Sequence, residues 1–298
     1  MVVTGDNHYY LYQNPEVSGT YKNINDYKDY LLIEEDLEKI RNNEAIRLKV
    51  IERGLHKSKD EKNFDPDLWF EGKYIIPYDK GGESDTESGW LPNYYVLTNY
   101  YIDWSTEAVK RLKTLTTNQR NKFDNKTGGN NKLCSRFQNK EYYFKNGITA
   151  SRVGQYSPTH RLASDTIFDS GCSNIYCDFF NRNHLLGILN SKICKYFFKL
   201  VINHSVNSQV DDTKEIPFCL EIKDIKSLLK LVDEIIQKQG LNSYYDYFSK
   251  EQIEIDKIIY EIYGLNEKDI NEIETWYKRR YPKFKMNEDN KFNLKEIL

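Results

Sequence analysis

The 298 residues carry 43 Lys and Arg against 45 Asp and Glu, with 39% hydrophobic and 30% charged residues. That length can bury a sizeable core, and one large domain with a smaller one is expected. Five cysteines (Cys134, Cys172, Cys177, Cys194 and Cys219) form no CxxC pair and, with five scattered histidines, no zinc spacing, so reduced thiols are expected. The opening MVVTGDNHYY has no secretory pattern, and no window nears the roughly 18 apolar residues of a membrane helix, so a cytoplasmic protein is expected. The 24 Tyr and 14 Phe suit binding surfaces as well as cores, and a coding bias that also favours Asn, Lys and Ile accounts for them equally well.

In chain order, residues 1–20 read as a loop and a short strand. Residues 26–52 place Tyr27, Leu31, Ile33, Leu37, Ile40 and Ile46 at roughly helical spacing, predicting an amphipathic surface helix. Between 68 and 104 short aromatic and β-branched runs predict strands at 69–70, 73–77 and 94–97, with Gly81-Gly82 and Ser88-Gly89 as turns. Ser105 is a candidate N-cap for a helix over 105–115. Residues 116–140 lack apolar periodicity and predict a loop; strands are expected at 142–144, 166–168 and 175–177. Residues 182–200 predict a core helix burying Leu185, Ile188, Leu189, Ile193, Phe197 and Leu200. Charged, heptad-like helices follow over 221–240 and 250–278. The fold class expected is α+β, with a junction segment and helix over 1–52, a mixed-sheet domain over 53–220 and a helical C-terminal subdomain over 221–298.

The charge is segregated. Residues 1–109 hold 12 Lys and Arg against 21 Asp and Glu, residues 110–161 hold 12 against 2, and residues 162–298 hold 19 against 22. A block with net charge +10 is an electrostatic footprint for a polyanion, the alternative being a solvated basic loop. Within it, side chains suited to phosphates (Lys126, Lys132, Lys140, Lys145) and to base edges (Arg152, Gln155, Arg161), with Arg136 as a further cation, alternate with aromatic and small polar groups, including Thr149, Ser151 and Tyr156.

Catalytic motifs are missing. The seven prolines are isolated and no GxG occurs, which excludes the usual cofactor turn and proline-proline-aromatic loop of an amino-methyltransferase, and no GxxxxGK[ST] loop is present. Asp67, Glu71 and Lys73 superficially resemble a magnesium-nuclease arrangement, but three residues between the acids are too few for the usual strand and turn.

The stretch YYFKNGITASRVGQYSPTHRLASDTIFD, over 142–169, resembles the TaqI-like specificity domains of large adenine-specific DNA methyltransferases, a family that includes type IIG restriction-modification proteins and PglX-like enzymes of BREX phage-defence systems. TGDNHYYL, PYDKGGES with WLPNYYVLTNYYIDWS, LLGILNSKI and VNSQVDDTKEIPF agree in order, and IIYEIYGLNEKDINEIETW is similar to the close of such enzymes. Ala150 departs from the aromatic residue often found there. In that family TGDN directly follows the catalytic domain, and here it begins at Thr4. The resemblance therefore implies a double-stranded DNA recognition module that positions a target adenine for a methyltransferase domain or subunit outside this sequence. It implies no cofactor in this chain, S-adenosylmethionine being expected on that catalytic domain. It also implies turn and core roles for Gly147, Phe168 and Asp169, and leaves 207–212 open between a DNA contact and a simple connection. Two rivals stand beside this reading, a magnesium-dependent endonuclease using Asp67, Glu71 and Lys73, and a protein-interaction decoy of a specificity domain.

Overall fold

A computed structural model describes residues 11–13, 22–81, 92–97, 100–114, 139–154, 156–168, 171–219 and 225–281. The fold is α+β, with small sheets preceding a helical C-terminal region.

The first sheet has the order β2-β1-β4-β3-β7. It comprises β1 (Leu11–Gln13), β2 (Lys22–Asn23), β3 (Ile75–Asp79), β4 (Tyr100–Asp103) and β7 (Ile167–Phe168). β4 runs antiparallel to β1 and β3, whereas β2 and β7 join in parallel. A single amphipathic helix over 26–52 is not what forms. The chain makes a 3-10 turn at Ile24–Tyr30, then α1 (Glu34–Asn42) and α2 (Glu44–Arg53). Asn43 interrupts them because its side chain caps α2, accepting from the Ala45 and Ile46 amides at 3.1 and 3.2 Å. α2 ends at Gly54, whose φ of 78° brings its backbone against Ser105. Leu37, Ile40, Val50, Ile51, Ile75, Ile76, Trp104 and Phe168 form one buried core here. Burial of each such side chain stabilises the fold by roughly 1.5–3 kcal/mol. Trp104 adds an indole hydrogen bond to the Val50 carbonyl at 3.0 Å.

Three further local expectations are revised. Residues 142–144 are not a strand: a 3-10 turn at Lys140–Tyr142 leads into Phe144 at φ 57°. Residues 69–70 follow another 3-10 turn, Pro66–Leu68, and 94–97 contribute only a bridge from Tyr94 to Arg161. The expected helix after Ser105 forms as α3 (Thr106–Thr114), with the Ser105 hydroxyl accepting the Ala108 amide at 3.3 Å.

The second sheet is antiparallel, in the order β6-β5-β8, with β5 (Ile148–Ser151) central between β6 (His160–Leu162) and β8 (Cys172–Ile175). Ile148 packs into a second core with α4 (Arg182–Asn190), α5 (Lys192–Phe197), α7 (Ile225–Leu241) and α8 (Glu251–Ile262). The helix expected over 182–200 is broken at Ser191, which caps α5, and closes in a π-turn at Phe198–Ile202. Phe198 is buried where Phe197 was expected, and Leu200 is 44% exposed. α4 and α7 meet at Gly187, where a Cβ would stand 2.9 Å from Leu228 Cδ1. The second core thus spans residues on both sides of 220, so the expected boundary there does not separate two packed units. After the five-residue α6 (Val210–Lys214), α7 and α8, the chain closes on α9 (Glu267–Arg280).

Candidate nucleic-acid interface

β5 carries the first of the expected DNA-reading residues, and its central position decides what they do. Strands on both edges take its backbone hydrogen bonds, and all four of its residues are buried, the face that carries Ile148 lying against the second core. Thr149, fully buried, donates to Asn174 Oδ1 at 2.7 Å. Ser151 shares a hydrogen bond with Thr159 at 3.0 Å. Arg161, opposite Thr149 in register and 5% exposed, donates to Ser151 Oγ at 3.2 Å and to the Lys80 carbonyl at 3.4 Å. Thr149, Ser151 and Arg161 are therefore internal supports, and none presents its polar group to a base edge. Close to Arg161, Asp79 accepts the Ser164 amide at 3.0 Å on both carboxylate oxygens. Desolvation pushes the Asp79 carboxyl up to about 6, against the downward pull of that amide and of the Arg161 charge.

The chain becomes accessible at Arg152. There it is bound to a loop from the other side of the second core. The Arg152 carbonyl accepts the Ser208 amide at 2.8 Å and the Ser208 hydroxyl at 3.0 Å. Gly154 N donates to the Val206 carbonyl at 2.8 Å, and Val153 forms an antiparallel bridge with Asn207. The Arg152 guanidinium turns along this ribbon toward the Ser208 carbonyl at 3.4 Å and Gln209 Oε1 at 3.3 Å.

The partner loop is rigid for local reasons. Asn203 accepts the amide and hydroxyl of Ser205, each at 2.7 Å, and donates to the Asn207 carbonyl at 3.0 Å. Lys199 Nζ donates to the Ser205 carbonyl at 2.8 Å.

Between the two loops lies a shallow crease. Ser151, Arg152, Val153, Gly154, Tyr156 and Pro158 line one side, and Lys199, Val206 and Ser208 line the other. Two of these nine residues are cationic and none carries a carboxylate. Lys199 is buried, so its charge acts on the crease through the field, while Arg152 and Tyr156 are half-buried and able to touch a ligand. Val153 and Val206, 44% and 50% exposed, stand at the lips. The crease has no room for a water-sized sphere, so an anionic ligand such as a nucleic-acid backbone would meet only its rim, at Arg152, Val153, Tyr156 and Val206.

The remaining expected contacts are dispersed. Lys140 pairs with Glu52, which Lys113 also holds at 2.6 Å, and these two ammonium groups keep the Glu52 carboxyl below its usual range despite partial desolvation. Lys145 is exposed, 5.5 Å from the centre of the Tyr142 ring. Lys126, Lys132, Arg136 and Gln155 lie outside the described residues. The nuclease-like residues are engaged separately: Asp67 pairs with Lys49 at 2.6 Å, Lys73 pairs with Asp36 at 3.1 Å, and Glu71 is exposed at φ 52°. Among the described residues no group of three or more His, Cys, Asp or Glu is placed to hold a metal ion, and no helix is long and apolar enough to cross a membrane.

Local pattern does not join Lys199, Val206 and Ser208 to Arg152, because 47, 54 and 56 residues separate them from it. The one available signal was the polar run His204-Ser-Val-Asn-Ser-Gln between a core helix and the next element. No protein-family model matches the chain, and no curated protein matches it.

Proposed function

We propose that this chain is a sequence-specific double-stranded DNA recognition module, of the kind that positions a target adenine for the catalytic domain of an adenine-N6 DNA methyltransferase in restriction-modification or phage defence. The observation that carries the reading is the crease. In it a half-buried arginine is held on a hydrogen-bonded ribbon beside a tyrosine and a second cation, with no carboxylate in the lining. The charge segregation along the chain and the ordered motifs shared with TaqI-like specificity domains support the same conclusion. The chain would supply binding and register and no bond-making step, with any S-adenosylmethionine held by the catalytic partner.

Arg152 is the base-reading candidate, since its guanidinium is long and preorganised by Ser208 and Gln209. Lys126, Lys132, Arg136, Lys140 and Lys145 would act on phosphates, and Tyr156 would pack on a sugar or base. Fluorescence anisotropy on a panel of duplexes tests this. Arg152→Ala should relax sequence preference by about 1–3 kcal/mol, and Lys132→Ala should weaken all duplexes while lowering the salt slope by about one. A chain with no salt-sensitive duplex binding would point instead to an interaction decoy. Magnesium-dependent cleavage lost in Glu71→Ala would establish the nuclease reading.

A further inference from the structure

The loop that forms one side of the crease is anchored by the last helix of the described chain. α9 ends in Lys278, Arg279 and Arg280, all exposed. Immediately after them stands Tyr281, 3% exposed. Its ring stacks on Tyr156 with centroids 4.7 Å apart and on Tyr277, one turn back, at 4.4 Å. Its hydroxyl accepts the Ser157 amide at 3.0 Å and donates to Ser157 Oγ at 3.1 Å, while Ser157 Oγ donates to the Lys195 carbonyl at 3.1 Å. The Tyr281 hydroxyl and the Ser157 amide and hydroxyl therefore all have partners. The junction fixes the end of α9 one residue from a ring that touches a wall of the crease.

Among the described residues, two of these cations are not used inside the fold. Lys278 and Arg279 have no ion pair or hydrogen bond among the described residues. The acids in the second half of α9 are turned elsewhere: Glu274 takes the Lys192 ammonium at 2.8 Å and the Tyr260 hydroxyl at 3.0 Å, and Glu272 takes the Tyr196 hydroxyl. Cations in a last helical turn complement the helix dipole, which explains their sign. It does not explain three in succession, all exposed, next to a crease of the same sign. Three like charges on one exposed turn raise the local positive potential, a field that attracts a polyanion.

We infer that the last turn of α9 is a second DNA contact, with Lys278, Arg279 and Arg280 taking backbone phosphates of the duplex that flank the base pairs met at the crease. This rests on the DNA-recognition reading and assigns to the C-terminal helix a contact that the basic block over 110–161 does not supply. The Tyr281 junction would hold both contacts at a fixed spacing, so the duplex meets one continuous surface.

The test uses the full chain and a labelled duplex, with affinity followed against salt concentration. Lys278→Gln, Arg279→Gln and Arg280→Gln together should lower the salt slope by about two to three units and weaken binding roughly tenfold or more near 0.1 M salt. Preference among duplex sequences should stay unchanged, since phosphate contacts carry no sequence information. A control with the same change in net charge, Lys226→Gln, Lys230→Gln and Lys257→Gln, should leave the slope within about half a unit. An unchanged slope in the α9 variant, or an equal loss in the control, overturns the inference. If the wild-type chain binds duplex and Arg152→Ala weakens it while the α9 variant does not, the inference alone falls. If the wild-type chain shows no salt-dependent binding, the recognition reading falls with it. Should the triple variant fail to fold, Arg279→Gln alone carries the test, with a slope smaller by about one.

Discussion

Replacing Tyr281 by Phe removes one buried oxygen and leaves the ring in place. That oxygen accepts the Ser157 amide at 3.0 Å and donates to Ser157 Oγ at 3.1 Å, and burial pushes the phenol up to about 12, so it remains a neutral donor near neutral pH. The ring stacks on Tyr156 and Tyr277 have no need of the hydroxyl. Two neutral hydrogen bonds contribute about 1 kcal/mol each, and a buried amide left without an acceptor costs about 1–3 kcal/mol. The expected loss is therefore about 2 kcal/mol in urea unfolding, with the Ser157 amide exchanging faster than its neighbours in β6. Tyr281→Phe and Ser157→Ala should combine less than additively, with a coupling of about 1 kcal/mol in a double-mutant cycle, because both remove the bond from the Tyr281 hydroxyl to Ser157 Oγ. A loss below about 0.5 kcal/mol with unchanged exchange at Ser157 would refute the junction as the anchor of the crease.

Other perturbations probe the scaffold. Gly54→Ala should cost about 2–4 kcal/mol of unfolding free energy, because the new Cβ meets the Ser105 carbonyl oxygen at 2.6 Å while φ is 78°, and backbone rather than a flexible side chain must yield. Arg47→Ala should cost about 2–4 kcal/mol, since this buried guanidinium donates to the Glu141 and Tyr143 carbonyls at 3.2 and 2.8 Å and holds the turn that leads into β5. His160 is buried with neither ring nitrogen hydrogen-bonded, and desolvation, helped by the nearby Lys195 and Arg161 charges, lowers its pKa to about 3. The unfolded chain then binds the extra proton between about pH 6.5 and 3, so this group's contribution to stability is intact above pH 6.5 and is lost as the pH falls. Asp79 and Asp256, both raised to about 6 by burial, act in the opposite direction below pH 6. The wild-type profile therefore mixes the two effects. The difference between wild type and His160→Gln isolates the histidine, and it should change by up to about 1.4 kcal/mol per pH unit below pH 6.5. A flat difference would show that His160 is solvated.

Several features were legible because they depend on neighbours in sequence. Hydrophobic periodicity marked α4 and the helices after 220, Ser105 marked the start of α3, and composition with element order suggested α+β. Charge counting along the chain located the basic block, since net charge is a sum that needs no coordinates. The breaks at Asn43 and Ser191 were harder to see. Each residue also fits a helix surface, and whether its side chain caps the following helix is decided by the direction the chain must take to bury Ile40 and Val50, or Leu189 and Phe198.

What the tertiary structure alone decided is which members of the basic block face outward. Thr149, Ser151, Arg152, Tyr156 and Arg161 look alike as a string of polar, cationic and aromatic residues. Their fates separate because both faces of the second sheet are covered at these positions, which buries Thr149, Ser151 and, on the neighbouring β6, Arg161 whatever their chemistry, while the strand ends at Ser151 and releases Arg152 to the ribbon. Likewise Lys199, Ser208 and Tyr281 join Arg152 and Tyr156 through contacts spanning 56 residues to Ser208 and 124 residues from Ser157 to Tyr281. Local pattern can name the side chains able to meet an anion. Only the closure of those long loops determines which of them share one surface.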